Sequence, residues 1–199
     1  MNKGIVKKGY DTAAENYVTE RDQFKNDFYL EKLSEILPKG SSVLDIGCGA
    51  GIPIDRFLID KGYKVMGIDI SEKMIEFAKK NIPEATYKIE DMMDLQEKEY
   101  EVNAVVSFYA IFHTPREDHE KIFNVIGSFL SKGGLILVTM GSNEWEGEKE
   151  NFYGVPMWWS HYGTEENKKI IASAGFEILL DEIDTSGNER HQVVFAKKQ

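Results

Sequence analysis

Three glycines spaced two residues apart form the most informative chemical pattern in the chain. Gly47, Gly49 and Gly51 follow a short apolar run at 43–46 and precede a segment with helical periodicity. Glycine allows the backbone to turn sharply and to approach a ligand closely. The first turn of a helix that follows such a turn offers N–H groups without backbone partners. The spacing therefore predicts a strand, a tight turn and a helix that together hold a polar ligand.

Acidic residues recur at the ends of three successive predicted strands. Asp45 belongs to the first strand, Asp69 ends the second and Asp91 follows the third. Because the carboxyl ends of parallel strands meet at one edge of a sheet, we expect these acids to lie near the glycine turn. A carboxylate accepts hydrogen bonds from both hydroxyls of a ribose. The three acids favour a nucleoside ligand over a purely structural turn.

Two other glycine-rich nucleotide sites fit these residues less well. A dinucleotide site of the Gly-x-Gly-x-x-Gly type requires glycine at position 52, where this chain has Ile52. A phosphate-binding P-loop requires Gly-Lys-Ser/Thr, which is absent. A dehydrogenase also commonly carries a second substrate domain, for which 199 residues leave little room. A nicotinamide-dependent enzyme stays open as a disfavoured alternative.

Alternating strand and helix patterns predict the elements that hold these residues. Strands are predicted at 43–46, 64–68, 86–89, 102–108, 135–140, 176–183 and 192–196, and helices at 11–17, 24–37, 53–60, 71–80, 116–130 and 164–174. This order predicts a Rossmann-like α/β fold with a seven-stranded, mostly parallel sheet and helices on both faces. The last two strands have no helix between them, so they should form a C-terminal hairpin that adds one antiparallel strand.

The composition excludes several classes of function. The formal net charge is −10, which disfavours nucleic acid as a partner. The single cysteine, Cys48, rules out a disulfide within the chain and a cysteine-based zinc cluster, and no other metal site is predicted. We find no apolar run of the length that a signal peptide or a membrane span requires. We expect a cytoplasmic protein with one domain over residues 1–199.

The glycine motif and its spaced acids resemble the class I S-adenosylmethionine-dependent methyltransferases. The segments that carry the resemblance are 43–51, 67–71, 90–92, 105–108 and 130–134, and the match extends over about residues 40–140. The predicted C-terminal hairpin is also similar to that family. The resemblance implies transfer of a methyl group from S-adenosylmethionine to O, N or S of a small molecule by in-line displacement, with S-adenosylhomocysteine as product. It is specific for the cofactor and unspecific for the methyl acceptor.

The resemblance also implies a set of cofactor contacts. The methionine part should lie against the glycine turn, which comprises Asp45, Gly47, Cys48, Gly49 and Gly51. Its amino group should meet a carbonyl of Ser107 or Phe108, and its carboxylate should meet Tyr10, Tyr17 or Arg21. Asp69 should bind the ribose hydroxyls, and the adenine should meet Ile70, Met74, Asp91 and Met92. The helices within 1–38 should cover the cofactor.

The acceptor should bind near the end of the fourth strand, beneath an aromatic insertion at 141–163. That insertion holds all three tryptophans, and aromatic walls bind planar or apolar groups and exclude water. The same rings would alternatively pack the insertion onto the domain or form a dimer contact. The predicted pocket residues are Tyr109, Phe112, Trp158, Trp159 and Tyr162. The segment 107–113 lacks the Asn-Pro-Pro-Tyr pattern of methyltransferases that act on adenine or glutamine.

Histidine is the side chain best suited to act as a base near neutral pH. His113 ends the segment expected to face the cofactor, and His161 lies in the aromatic insertion, so these two are the predicted catalytic residues. His191 in the final hairpin is a further candidate. His119 lies in a charged helical segment and is expected to be solvated. Transfer by proximity alone, without a base, stays open.

Two other functions remain compatible with the sequence. The chain could be a non-catalytic S-adenosylmethionine-binding module that regulates a partner through the aromatic insertion. It could also methylate a protein or a tRNA through a basic patch that the sequence does not reveal. Nothing in the sequence forces a dimer, so we expect a monomer or a weak homodimer.

Overall fold

The computed structural model describes residues 3–20 and 26–199. Its helices are α1 (Lys3–Glu20), α2 (Asp27–Ile36), α3 (Ile54–Asp60), α4 (Glu72–Asn81), α5 (His119–Ser128) and α6 (Thr164–Ser173). Its strands are β1 (Ser42–Ile46), β2 (Lys64–Asp69), β3 (Thr86–Ile89), β4 (Val102–Ser107), β5 (Leu130–Gly141), β6 (Trp145–Phe152), β7 (Val155–His161), β8 (Phe176–Asp184) and β9 (His191–Lys198). None of the helices in these ranges is long and apolar enough to cross a membrane.

Seven strands form the central sheet in the order β3-β2-β1-β4-β5-β9-β8. The pairs among β1 to β5 are parallel, and β9 runs antiparallel to both β5 and β8. This confirms the predicted Rossmann-like sheet with one antiparallel strand. The strand order reverses between β1 and β4, and a ligand crevice opens at such a switch point beyond the carboxyl ends of the strands.

Helices cover both faces of the sheet and bury its apolar central strands. One core contains Leu30 and Leu33 of α2 and Leu58 of α3, and the other contains Phe123 of α5 and Ile171 of α6. All five side chains are fully buried. Burial of a side chain of this size stabilises the fold by about 1.5–3 kcal/mol. The apolar runs that predicted the strands are therefore the inner layers of these two cores.

Two predictions about the α5 region differ from the structure. The helix predicted at 116–130 is a one-turn 3-10 helix at Arg116–Asp118 followed by α5, and Leu130 already pairs with Val102 as part of β5. The predicted helix therefore ends too late, because sheet pairing takes over at its last residues. His119 is fully buried instead of solvated, since it lies on the inner face of α5.

The aromatic insertion is an ordered hairpin, β6 paired antiparallel with β7, and not an irregular loop. Its turn residues Tyr153 and Gly154 both have positive φ, 51° and 88°. Two central residues of this conformation form the tight turn that matches the twist of a hairpin. A glycine at the second turn position, flanked by aromatic and β-branched residues, is the sequence signal that indicates this turn.

Candidate active site

The glycine turn lies at the switch point and is held closely against its neighbours. The N–H groups of Gly47 and Cys48 donate to the carbonyl of Ile68 at 2.8 Å and 3.0 Å. Gly47 has a φ of 77°, and a Cβ at this position would lie 2.2 Å from Cβ of Ala110. Any side chain at position 47 would therefore both strain the backbone and displace the loop after β4. The bare backbone of the turn forms the floor of the crevice.

Asp69 joins the end of β2 to the glycine turn. Its Oδ2 accepts from the Gly49 N–H at 3.0 Å, and its Oδ1 accepts from the Ser71 N–H at 2.8 Å. Burial raises the pKa of Asp69 to about 6, although these two bonds favour the carboxylate. Because each carboxylate oxygen accepts more than one hydrogen bond, Asp69 retains acceptor capacity toward a ligand in the crevice.

Helix α1 crosses the mouth of the crevice and is tethered there by polar contacts. Lys3 Nζ lies 2.5 Å from Asp91 Oδ2. Asp11 accepts a hydrogen bond of 2.6 Å from the Ser71 hydroxyl and one of 3.3 Å from the Lys73 N–H, both at the start of α4. These contacts place the side chains of α1 over the glycine turn, where Lys3, Val6, Tyr10 and Tyr17 line the crevice.

A tyrosine–histidine pair forms the wall of the crevice beyond β4. His113 Nδ1 lies 2.7 Å from the Trp158 carbonyl oxygen, and His113 Nε2 lies 2.8 Å from Tyr10 Oη. Since a carbonyl can only accept, Nδ1 carries the proton and Nε2 accepts from the Tyr10 hydroxyl. Burial lowers the pKa of His113 to about 4. The imidazole is therefore neutral near pH 7, with its Nε2 lone pair directed at Tyr10.

Tyr109, the next crevice residue after Phe108, has the left-handed backbone conformation with a φ of 58°. Its O–H donates to Asn26 Oδ1 at 2.9 Å, and its N–H donates to Thr139 Oγ1 at 2.5 Å. This conformation costs energy in a bulky residue and is retained where surrounding contacts impose it. The contacts to α2 and β5 turn the chain at the end of β4 and bring the His113 segment back over the crevice.

The crevice brings together most of the residues that the sequence predicts for the cofactor and the acceptor. Those that line it are Tyr10, Tyr17, Asp45, Gly47, Cys48, Gly49, Asp69, Ile70, Met74, Asp91, Met92, Phe108, Tyr109, His113 and Trp158. Residues that line it without having been predicted include Lys3, Val6, Ile52, Glu90, Met93, Ala110, Thr114 and Pro115. The Met93 and Thr114 positions adjoin predicted site residues, whereas Lys3 and Val6 carry no sequence signal.

The other predicted residues lie elsewhere. Phe112, Trp159 and His161 line a separate groove between the β6–β7 hairpin and the start of β9, together with His191. Ser107 is fully buried and donates to the Ile46 carbonyl at 2.7 Å.

Gly51 and Tyr162 lie beside the crevice rather than in its lining. Gly51 packs under the turn, where a Cβ would lie 2.7 Å from Tyr87 Oη. Tyr162 contacts His119 and Arg116. Arg21 falls outside the described residues. The catalytic prediction for His161 thus concerns a residue of the neighbouring groove.

The lining of the crevice fits S-adenosylmethionine. The bare backbone at Gly47 forms a cradle that a Cβ would fill. Asp45, Asp69 and Asp91 supply acceptors for the hydroxyl and amino groups of that molecule, and their negative charge suits its positive charges. Ile70 and Met74 supply apolar surface of the kind that a purine ring contacts. Within residues 3–20 and 26–199, no group of three or more histidine, cysteine or acidic side chains is placed to hold a metal ion.

Comparison with known proteins identifies the central region. Residues 43–134 match a family model described as a methyltransferase domain. The chain is 32% identical over 104 residues to dTDP-3-amino-3,4,6-trideoxy-alpha-D-glucopyranose N,N-dimethyltransferase of Streptomyces venezuelae, covering 51% of this chain and 43% of that protein. It is 28% identical over 142 residues to phosphoethanolamine N-methyltransferase 2 of Caenorhabditis elegans, covering 69% and 32%. The chain thus spans less than half the length of these two relatives.

Solved structures share the fold over most of the chain. A S-adenosylmethionine-dependent methyltransferase from Methanosarcina mazei superposes with a TM-score of 0.72 at 20% identity, covering 83% of this chain and 96% of that one. A putative S-adenosylmethionine-dependent methyltransferase from Listeria monocytogenes gives a TM-score of 0.71 at 20% identity, covering 88% and 100%. At this level of identity the likeness establishes the common fold.

Proposed function

We propose that this chain is a class I S-adenosylmethionine-dependent methyltransferase and that it transfers the methyl group to an oxygen, nitrogen or sulfur atom of a small molecule. The observation that supports this most directly is the composition of one crevice. Its floor carries the glycine turn and the acids Asp45, Asp69 and Asp91, and its wall carries Tyr10 and His113. The two curated relatives described above methylate nitrogen of small molecules by name, which favours an amine as the acceptor.

The floor residues bind the cofactor in this proposal. Asp69 accepts from the ribose hydroxyls while the Gly49 and Ser71 N–H groups hold its orientation. Asp91 and the Met92 backbone meet the adenine edge, and Asp45 meets the positively charged methionine end. When bound, S-adenosylmethionine supplies a methyl group on a sulfonium that is already an excellent leaving group. The protein must therefore orient the acceptor, exclude water and, where necessary, accept a proton.

Tyr10 and His113 are placed to move that proton. The Tyr10 hydroxyl donates to His113 Nε2 at 2.8 Å, and a phenol oxygen that donates its proton can also accept one from an N–H or O–H of the methyl acceptor. Transfer of the acceptor proton to Tyr10 Oη, with the phenol proton passing to His113 Nε2, leaves Tyr10 neutral. The Trp158 carbonyl, 2.7 Å from Nδ1, stabilises the resulting imidazolium.

Water is excluded by two elements that meet above the crevice. The rings of Tyr10 and Phe152 lie 5.7 Å apart, and those of Tyr17 and Tyr153 also lie 5.7 Å apart. In this proposal α1, within the N-terminal segment 1–38, covers the cofactor, and the β6–β7 hairpin, within the insertion 141–163, covers the acceptor. Edge-to-face contacts of this kind contribute about 0.5–1.5 kcal/mol each, so they stabilise the contact between the two elements but are weak enough for it to open.

Cofactor binding is tested by calorimetric titration with S-adenosylhomocysteine. We expect binding by the wild type and at least a tenfold loss with Asp69→Ala, because the ribose acceptor is removed. Asp60→Asn, an exposed acid on α3 outside the crevice lining, is the matched control and should bind normally. Absence of binding by the wild type would overturn the proposed function.

The acceptor is then sought with S-adenosylmethionine labelled on its methyl group and a panel of small amines, alcohols and thiols. The expected result is turnover of an amine that His113→Ala lowers by about 10²–10⁴-fold, with S-adenosylhomocysteine binding retained. Label transferred only to protein or RNA would contradict the small-molecule assignment.

We further propose a cytoplasmic protein that is a monomer or a weak homodimer and does not act on nucleic acid. The net charge of −10 repels phosphate backbones at long range. Light scattering over a range of protein concentrations tests the oligomeric state. Binding to tRNA that weakens with rising salt would contradict the exclusion of nucleic acid.

A further inference from the structure

Hydrogen bonds at two points fasten the segment after β4 to the β6–β7 hairpin. His113 Nδ1 lies 2.7 Å from the Trp158 carbonyl oxygen. Two residues further along β7, the Ser160 hydroxyl accepts a hydrogen bond of 3.0 Å from the Arg116 N–H. Because the two contacts are close together on both segments, they fix the position of one segment relative to the other. His113 is thus held by an element that is distant from it in the sequence.

The Ser160 hydroxyl is a buried junction between three segments of the chain. Ser160 is fully buried. Its oxygen accepts from the Arg116 N–H, and its own proton is donated to Glu146 Oε2 at 2.8 Å. Glu146 lies directly opposite Ser160 in the hairpin. One hydroxyl therefore joins the segment after β4 to both β7 and β6, and it does so as donor and acceptor at once.

The Arg116 side chain adds contacts at the surface of the hairpin. Its Nη1 lies 2.9 Å from Glu144 Oε1, and its Nε lies 3.5 Å from Glu146 Oε2. Both glutamates are exposed. Exposed ion pairs stabilise a structure weakly, because water screens the charges and long side chains lose freedom when they pair. The buried hydroxyl is therefore expected to hold the hairpin on this segment more firmly than the guanidinium does.

The tautomer of His113 depends on this arrangement. A neutral imidazole carries its proton on one ring nitrogen, and the partners of the two nitrogens decide which one. The Trp158 carbonyl can only accept, so it selects the form with the proton on Nδ1 and leaves the Nε2 lone pair to the Tyr10 hydroxyl at 2.8 Å. Displacement of that carbonyl would weaken the selection. The form with the proton on Nε2 would then become populated, and it cannot accept a proton from Tyr10.

We propose that Ser160 is a positioning residue for His113, since its hydroxyl holds β7 in the place that keeps the Trp158 carbonyl at Nδ1. This inference rests on the proposed function, in which His113 Nε2 accepts the proton that passes through Tyr10. Ser160 is not among the described residues that line the crevice, so it acts only through His113. Loss of its hydroxyl should change the tautomer of His113 and leave cofactor binding intact.

Nitrogen NMR of the ligand-free protein measures this tautomer directly. Spectra of protein labelled with nitrogen-15 at histidine distinguish a ring nitrogen that carries a proton from one that does not, and the His113 signals are those missing from His113→Ala. In the wild type at pH 7 we expect the His113 proton on Nδ1. In Ser160→Ala the other tautomer should become detectable, with a change of up to about tenfold in the ratio of the two forms, the equivalent of one hydrogen bond. Both proteins should bind S-adenosylhomocysteine with the same affinity in calorimetry.

Two further variants separate the hydroxyl from the groups around it. Glu146→Ala keeps the hydroxyl but removes the group to which it donates, so it should shift the His113 tautomer in the same direction as Ser160→Ala and by less. Because Glu146 is exposed, this second hairpin variant also tests the inference if Ser160→Ala fails to fold. Arg116→Met removes the surface ion pairs but keeps the N–H that donates to Ser160, so the His113 tautomer should stay as in the wild type.

Ser128→Ala is the matched control. Ser128 Oγ also accepts from a backbone N–H, that of Lys98 at 2.8 Å, and donates to a backbone carbonyl, that of Val125 at 2.6 Å. It lies at the end of α5 and makes neither of the contacts that hold the hairpin. Its replacement should leave the His113 tautomer unchanged.

The outcomes separate this inference from the proposed function. A His113 proton that stays on Nδ1 in both hairpin variants, with normal binding of S-adenosylhomocysteine, would overturn the inference and leave the proposed function standing. An equal shift of the tautomer in Ser128→Ala would overturn it as well, because the effect would then not depend on the hairpin. Absence of S-adenosylhomocysteine binding by the wild type would overturn the proposed function and this inference with it.

Discussion

Replacement of Asp55 by asparagine should change how the stability of the ligand-free protein depends on pH. Asp55 on α3 is fully buried, and burial raises its pKa to about 7 in the folded protein, whereas the ordinary value of 3.8 applies in the unfolded chain. Between these values the folded state binds more protons, so the contribution of Asp55 to stability decreases as the pH rises. Asparagine has the same shape without a titrating proton, and its amide oxygen accepts from the Tyr87 hydroxyl at every pH. The variant should therefore gain stability relative to the wild type as the pH rises from about 4 to about 7.

The size of this effect follows from the pKa shift. A displacement of about three pH units corresponds to about 4 kcal/mol, since each unit is worth about 1.4 kcal/mol. Asp69, with a pKa of about 6, adds a change of the same sign, and His113, with a pKa of about 4, adds one of opposite sign. Both groups are present in the two proteins, so they cancel in the difference. The difference isolates Asp55.

Urea unfolding followed by circular dichroism at pH 5, 6, 7 and 8 measures this difference. The free energy of unfolding of Asp55→Asn minus that of the wild type should rise by about 1.4 kcal/mol per pH unit from pH 5 to pH 7 and then level off. Asp60→Asn provides the control for loss of an exposed acid on the same helix. Parallel profiles of Asp55→Asn and the wild type, within about 0.5 kcal/mol, would refute the reasoning that buried Asp55 holds a proton.

Three further predictions concern the crevice and its cover. Gly47→Ala should weaken S-adenosylhomocysteine binding at least tenfold and cost about 1–3 kcal/mol of stability. The control Gly62→Ala has a similar φ but no atom within 4 Å of the new Cβ, so it should leave binding unchanged. Equal losses of binding in both variants would contradict a role of the Gly47 backbone in holding the ligand. His113→Ala should lower kcat by about 10²–10⁴-fold without weakening cofactor binding in calorimetry. Because burial lowers the pKa of His113 to about 4, protonation of this group should not lower the wild-type kcat between pH 9 and pH 6. Unchanged turnover by His113→Ala would leave proximity as the sole mechanism. Asp11→Asn weakens the hydrogen bond that joins α1 to Ser71, so it should increase cleavage of α1 in limited proteolysis, and S-adenosylhomocysteine should restore protection. A cleavage rate equal to that of the wild type would show that the aromatic contacts alone hold the helix.

The sequence predicts the floor of the crevice well because those residues are local to strand ends. Once 43–46 and 64–68 are recognised as parallel strands, Asp45 and Asp69 must meet at one edge of the sheet. The glycines between them signal the turn directly. Short sequence patterns, each complete within about ten residues, are therefore sufficient to predict the fold topology and the floor of the crevice.

The cover of the crevice and the buried Asp55 beneath its floor could not be predicted in the same way. The position of α1 depends on contacts such as Lys3 with Asp91 and Tyr10 with His113, each across about ninety residues or more of chain. Asp55 lies in a short amphipathic helix, where an acid normally indicates an exposed face. Its burial becomes evident only when β3 places Tyr87 against it. His119 shows the same effect, because its charged neighbours in the sequence suggest exposure whereas the residue is fully buried.

Under the proposed function, this division between floor and cover determines where substrate specificity resides. The floor residues are fixed by the sheet and would bind the cofactor. The walls proposed to meet the acceptor come from Tyr10 on α1, His113 after β4 and Trp158 on β7. Tyr10 and Trp158 are joined by hydrogen bonds to the two ring nitrogens of His113. A change in the hairpin that moves the Trp158 carbonyl therefore also alters the tautomer or orientation of His113 and its bond to Tyr10. Acceptor choice and proton transfer are coupled through one imidazole, so substitutions in the hairpin should alter both together.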